Sequence, residues 1–392
     1  MLKSLAIFTP FFVSLFWTIM FLINRKQNSR SQNIWGVATA LCTISMGIMA
    51  FYWHLNGNYS LYYKLDIVDY FITLSFIPAV FLYFRELTGD KSRVAWKIIL
   101  LMLPPILFGS LVGTIYLLLG DEEASAFVQS MIENQGEAPY DASMPFYEIH
   151  KIANGYGYSL SFFLQAVCVI IYAGRRLLVY RRQLADFFSN IEDKSLDRHW
   201  GVLWGMMALL VLATIVSASG YLLYISYTPW VPVITVTVGV IQFYTCYHAY
   251  HSYYTAEDFV RELTTNNIIT EFNDNSEDPP TIHANLLTKF NHAIDVDKLF
   301  LQKNLRVDDI TSLIGTNRTY ISRILREEYE CNFWTFINIK RIEYAKEQAL
   351  LDPTLSVEHL AEMCGFSHNT AFSRAFRQCE GITFSEWQNC TT

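Results

Sequence analysis

Arg323, Arg374 and Asn369 are the side chains in this 392-residue sequence best suited to chemistry with a partner. An arginine guanidinium can donate two parallel hydrogen bonds to a guanine edge, and an asparagine amide matches the edge of adenine. These residues sit in short helical patterns. In the clearer pattern, Thr354 to Trp387, an apolar stripe of Leu355, Val357, Leu360, Ala361 and Met363 stops at Gly365. A turn follows, and a second helix is expected to open at Ser367, an N-cap residue type. At about 100° per residue, Asn369, Thr370, Ser373, Arg374 and Arg377 occupy one arc of that helix. Ala371, Phe372, Ala375, Phe376 and Cys379 occupy the other. An apolar helix, a glycine turn and a helix with a basic, amide-bearing outer face predict a helix-turn-helix.

The pattern occurs twice. Leu305, Val307, Ile310 and Leu313 form an earlier stripe, Gly315 marks the turn, and Asn317 is the expected cap of the next helix. On that helix Thr319, Ser322, Arg323 and Arg326 share one face, and Ile321, Ile324 and Leu325 share the other. The chain carries a formal charge of −7, which argues against a general basic coat for nucleic acid. Local placement tells more. No acidic residue falls between 316 and 326, or between 367 and 378. Phe333 to Leu351, ended by Asp352-Pro353, reads as one long helix between the two readers.

These residues resemble the arabinose-regulator (AraC-type) family of bacterial transcription factors. The resemblance is carried by Ser322-Arg323, the stretch Arg341 to Lys346, Leu360-Ala361, Cys364 to Ser367, Phe372-Ser373-Arg374, Phe376-Arg377 and Gly381-Ile382-Thr383. It covers roughly residues 284 to 388. The chain departs from the family pattern at Phe384, where Pro is usual, at Glu330, where Gly is common, and at Ala371, where an aromatic is frequent. The resemblance implies base contacts at Thr319, Ser322 and Arg323 in the first reader and at Asn369, Thr370 and Arg374 in the second. Arg318, Arg326, His368 and Arg377 are expected to hold phosphates, which position without specifying.

The remainder of the chain must place these readers, and it is oily. The sequence is 52% hydrophobic and 17% charged, too apolar for an ordinary soluble protein of this length. Apolar stretches of bilayer-crossing length run at Leu5–Ile23, Ile34–Trp53, Ile67–Phe84, Trp96–Leu119, Phe146–Ala173, Val202–Ile225 and Val231–Tyr250. Dense charge follows the first stretch rather than preceding it, so it reads as a retained anchor and not a signal peptide. The odd-numbered connections hold thirteen Lys and Arg and the even-numbered ones two. That bias puts the N-terminus outside and the C-terminus in the cytoplasm of a bacterial plasma (inner) membrane. Pro104-Pro105 should bend the fourth span. The acidic connection Gly120 to Pro145 is expected as a solvated outer loop. Asp66 and Asp69, at the outer end of the third span, are expected to snorkel or be hydrated; facing inward, they become signal-sensing candidates.

The expected fold is all-α: a seven-helix transmembrane bundle (1–254), a connector (255–283) and a cytoplasmic domain (284–390) with two helix-turn-helix motifs at about 305–328 and 355–378. Asn285 to Leu301 reads as that domain's opening helix. The expected function is a membrane-embedded one-component transcription regulator whose partners are double-stranded DNA and the bilayer. RNA polymerase, a signal ligand and a second copy of the chain are further candidate partners. A transporter or channel with a regulatory tail is the alternative reading, disfavoured by the lack of an internal repeat or broken-helix pairs. An enzyme is not expected, since no nucleophile–base pairing, phosphate-cradling glycine loop or H-E-x-x-H helix is present. No cofactor or metal is expected. His248 and His251 lack a third ligand and fit an interfacial aromatic belt, and seven scattered cysteines imply no disulfide.

Overall fold

The computed structural model describes residues 2–391 except 53–56, 91, 93–94, 134–148, 151, 154–156, 192–195, 197–198, 219–229 and 252–279. The chain divides into two units, Met1–Leu177 with Asp197–Ala256, and Leu178–Leu196 with Glu257–Thr392. Every named element among the described residues is helical.

The first unit holds α1 (Leu2–Ile7), α2 (Thr9–Ile23), α3 (Arg30–Tyr52), α4 (Tyr59–Leu87), α5 (Ala95–Glu133), the larger part of α6 (Tyr158–Phe187), α7 (His199–Ala218) and α8 (Trp230–Tyr250). Five of these are long and apolar enough to cross a membrane: α3, α4, Trp96–Ser130 within α5, α6 and α8. Thr9–Ile23 and His199–Ile215 are shorter apolar helices. They coincide with the first and sixth expected spans, and the sixth runs on into 219–225, outside the described residues.

A helix in an apolar medium must satisfy its own backbone, and α5 shows where it cannot. The helix runs through Pro104 and Pro105. Pro105 has no N–H for the carbonyl of Leu101, four residues back. The Gln165 side chain of α6 supplies that donor at 2.7 Å. At Gly120 the backbone turns to φ 75°, and residues 121–133 continue as a second helical stretch. This corrects the expected acidic loop over its first half. Ala124, Phe127 and Val128 recur at i, i+3 and i+4 and are buried in a cluster with Tyr116. Counting charges hid that stripe; residues 134–145 lie outside the described residues.

In the second unit α9 (Pro280–Asn291) leads into a π turn at His292–Val296 and a 3-10 turn at Leu299–Leu301. The single opening helix expected over Asn285–Leu301 therefore breaks, with Lys298 left-handed at φ 50°. Then come α10 (Val307–Ile314), α11 (Arg318–Glu328), α12 (Phe333–Leu351), α13 (Val357–Met363), α14 (Asn369–Glu380) and α15 (Phe384–Thr391). The long helix α12 serves two cores. Its first half gives Phe333, Phe336 and Ile337 to a cluster with Phe290, Leu305, Ile310, Ile321 and Ile324. Its second half gives Ile342, Ala345 and Ala349 to a cluster with Leu360, Phe372, Phe376 and Phe384.

Two of the left-handed backbone positions in this unit, Gly365 and Glu330, respond oppositely to substitution. Gly365 has φ 77°, and a Cβ there would lie 2.4 Å from the carbonyl oxygen of Leu301. Glu330 adopts φ 50° with a side chain that disfavours it. Gly365→Ala should cost the unit at least about 2 kcal/mol through strain and the clash. Glu330→Gly should stabilise it by about 0.5 kcal/mol, strain relief outweighing the flexibility glycine adds to the unfolded chain. Hydrogen exchange of α11 and α14 amides in the full-length protein checks both signs.

Candidate nucleic-acid interface

Each reader is built by the same local logic. In the first, the Arg306 N–H donates to Asp309 at 2.8 Å to open α10. Gly315 closes α10 at φ 70°. Asn317 then caps α11 by accepting from the Tyr320 N–H at 3.1 Å. In the second, Ser356 caps α13 through the His359 N–H at 3.2 Å. Ser367 does not cap α14, contrary to expectation. That helix starts at Asn369 with His368 as N-cap, and the Ser367 hydroxyl is buried without a hydrogen-bond partner. Counted from its glycine, the second turn is one residue longer than the first, with α11 starting at Arg318 after Gly315 and α14 at Asn369 after Gly365.

Burial sorts the two helices largely as their periodicity predicts. Ile321, Ile324 and Leu325 of α11 are buried, as are Ala371, Phe372, Ala375 and Phe376 of α14. Two expected core positions are corrected. Leu313 is 57% exposed, and Ile314, one position round the helix, is buried in its place. Cys379, in the last turn of α14, is exposed.

The outward faces carry the polar groups. Asn369, Thr370, Ser373, Arg374 and Arg377 are all exposed, as is His368. Ser373 donates to the Asn369 amide oxygen at 3.2 Å, which leaves the amide N–H groups pointing elsewhere. On α11, Thr319 and Arg326 are exposed, whereas Ser322 and Arg323 are half-buried. The Arg323 guanidinium lies over the Tyr320 ring at 4.7 Å, a stacking that holds the fork in one plane. Arg318 is engaged within the unit: it pairs with Asp308, and its guanidinium lies 5.2 Å from the Phe187 ring centroid. Arg326 lies near enough to Asp186 for their charges to interact.

Residues 186–191 entered no motif, and nothing local in their sequence marks them. They are nonetheless seated among the readers. Phe188 pairs with Arg306 in an antiparallel bridge, and the Ser189 N–H donates to the Leu305 carbonyl at 3.0 Å. Phe188, Ser189, Asn190 and Ile191 are buried. Cys364 is buried beside Arg341, and burial pushes its thiol up to about 12, so it stays neutral.

Asp66 and Asp69, in the first unit, face inward rather than to the outside. The Tyr116 hydroxyl donates to Asp66 at 3.0 Å and stands 3.0 Å from the His150 Nε2. Thr73 donates to Asp69 at 3.0 Å and is bonded in turn to Ser45 at 2.7 Å. The sequence could not show this, because Tyr116 and His150 come from separate later segments. Near the other end of this unit, the His248 ring packs 4.4 Å from Tyr244 and His251 stands 4.3 Å from Tyr247.

Residues 310–389 match a family described as a helix-turn-helix domain. The Msm operon regulatory protein of Streptococcus mutans is 31% identical over 88 residues, covering 22% of this chain and 30% of that protein. Uncharacterized HTH-type transcriptional regulators of Staphylococcus aureus are 29% identical over 106 residues, 25% of this chain and 14% of theirs. This chain therefore spans less than a third of the length of these relatives. No solved structure matches it. The matched region is thus similar to helix-turn-helix domains and to parts of proteins named as regulators; the long apolar helices before it are compatible with membrane anchoring.

Arg374→Ala should cost about 1–3 kcal/mol on the best duplex and relax preference at one base pair. Arg326→Ala should instead weaken all duplexes alike and lower the salt slope by about 1. Fluorescence-anisotropy titrations of the full-length protein at several salt concentrations separate the two; a uniform loss for Arg374→Ala would make it a phosphate contact.

Proposed function

We propose that the chain is a membrane-embedded one-component transcription regulator. The observation that carries this is the pairing of two exposed polar faces, α11 and α14, on one helical unit of a chain whose other unit is built from long apolar helices. The relatives named as regulators favour the same reading. In it, Thr319, Ser322, Arg323, Asn369, Thr370 and Arg374 meet base edges, and Arg326, His368 and Arg377 meet phosphates. Arg318 reaches a phosphate only by leaving Asp308 and Phe187. The helix α12 sets the separation of the readers, so that one subunit spans two successive major grooves.

The apolar unit is the sensor, and seven crossings put its N-terminus outside and the readers at the inner face. Asp66 and Asp69 are the sensing residues of this proposal. A carboxylate inside a membrane is costly, and its retention marks a function. Their surroundings, Tyr63, Tyr70 and Tyr116 with no Lys or Arg bonded to either carboxylate among the described contacts, suit a cationic signal. The connector expected over 255–283 lies mostly outside the described residues, so α6, which passes from the first unit into the second at Leu178, is the described element best placed to carry the signal. Tethering at a membrane raises local concentration and favours pairing of two copies.

Two measurements test this reading. A membrane-impermeant maleimide applied to intact cells should label Glu122→Cys and not Gln27→Cys, relative to the parent protein. Sequencing DNA captured with the full-length protein should return a shared motif that vanishes in the Arg323→Ala/Arg374→Ala double variant. Inverted labelling, or capture without a motif, would contradict it.

A further inference from the structure

The guanidinium of Arg341, at the middle of α12, has 0% of its surface exposed. Its Nε donates to the Phe300 carbonyl at 2.7 Å and its Nη2 to the Gln302 carbonyl at 3.0 Å, both just before the first reader. Its Nη1 donates to the Asn190 amide oxygen at 2.8 Å, and Nη2 also reaches the Ser189 hydroxyl at 3.3 Å. Arginine only donates, so the amide oxygen of Asn190 must face it and the amide nitrogen must face away. That nitrogen reaches the Gly365 carbonyl at 3.4 Å and the Asn304 side-chain oxygen at 3.5 Å. Asn190 thus touches the connecting helix, the first reader's entry and the second reader's turn at once.

We infer that Asn190, with Ser189, is a positioning device that fixes how the two readers are set relative to each other. The inference rests on the reading that both readers grip one duplex. Contacts of 3.4 and 3.5 Å are weak bonds, suited to being made and broken. The bond to Arg341 is short and serves a buried charge, which loses heavily when an acceptor leaves. Asn190 lies three residues beyond the end of α6, so displacement of that helix moves an acceptor of Arg341 and a contact of Gly365 together. The segment is a third part of the reader unit, and it lies outside the region that matches the helix-turn-helix family.

The decisive variant is Asn190→Asp. It keeps an acceptor for Arg341 and adds a charge partner, which holds the fold. It replaces the amide donor by an oxygen facing the Gly365 and Asn304 oxygens, which severs the bridge between readers. Full-length protein in lipid nanodiscs is titrated with duplexes selected by the parent, then with the same duplexes lengthened or shortened by one and two base pairs between the two contacted sequences. A duplex carrying only the second reader's sequence serves as control. The parent should discriminate against altered spacing, and Asn190→Asp should flatten that discrimination at least threefold while binding the control within twofold of the parent. If Asn190→Asp keeps the parent's spacing preference, or loses the control duplex equally, the inference is overturned. If the parent selects no duplex, the functional reading itself fails and this inference with it, an outcome distinct from the other two.

Discussion

A buried guanidinium at the junction of two small cores is the constraint around which the reader unit is arranged. Neither core is large: α10 and α11 close one over the first half of α12, and α13 to α15 close the other over its second half. Helix-turn-helix pairs of this size expose their polar faces by necessity, so the core left to them is one side of each helix. Arg341 sits where the two meet and takes its acceptors from backbone carbonyls on one side and from Ser189 and Asn190 on the other. A charge taken out of water needs every one of those bonds, so the geometry around it tolerates few arrangements. Gly365 shows how tight the fit is: its backbone stands so near Leu301 that no side chain can be accommodated.

The apolar unit obeys a different constraint. Where its helices lose a backbone donor or come to an end, a side chain from another segment fills the gap. Gln165 serves the Leu101 carbonyl left open by Pro105, and Arg176 caps α4 by donating to the Thr88 carbonyl at 3.1 Å. Tyr172 donates to Asp90 at 2.7 Å on the same turn. Polar residues in this unit therefore act mainly as backbone and side-chain partners. Asp66 and Asp69 differ from these: their bonds run through Tyr116 to His150 and through Thr73 to Ser45, not to a helix end.

What could be read from the sequence was what repeats within a helix. The spacing of Ile321, Ile324 and Leu325, and of Ala371, Phe372, Ala375 and Phe376, predicts two amphipathic helices, and these residues form their buried faces. Helix edges carry no such repeat, and there one residue changes the outcome. Leu313 and Ile314 compete for the same inward position, and the longer second turn moves the cap from Ser367 to His368. In the acidic stretch the charges conceal the apolar spacing of Ala124, Phe127 and Val128. The seat of Phe188 to Ile191 among the readers was invisible for another reason: it joins residues more than a hundred positions apart, and no local pattern encodes such a contact.

The proposed function requires two faces of one unit to grip one duplex in fixed relation. Hydroxyl-radical footprinting of the full-length protein on a selected duplex tests this most directly. It predicts two protected patches on one face of the DNA, centred about 10 base pairs apart. A single patch of one reader's width, or uniform protection along the duplex, would contradict it.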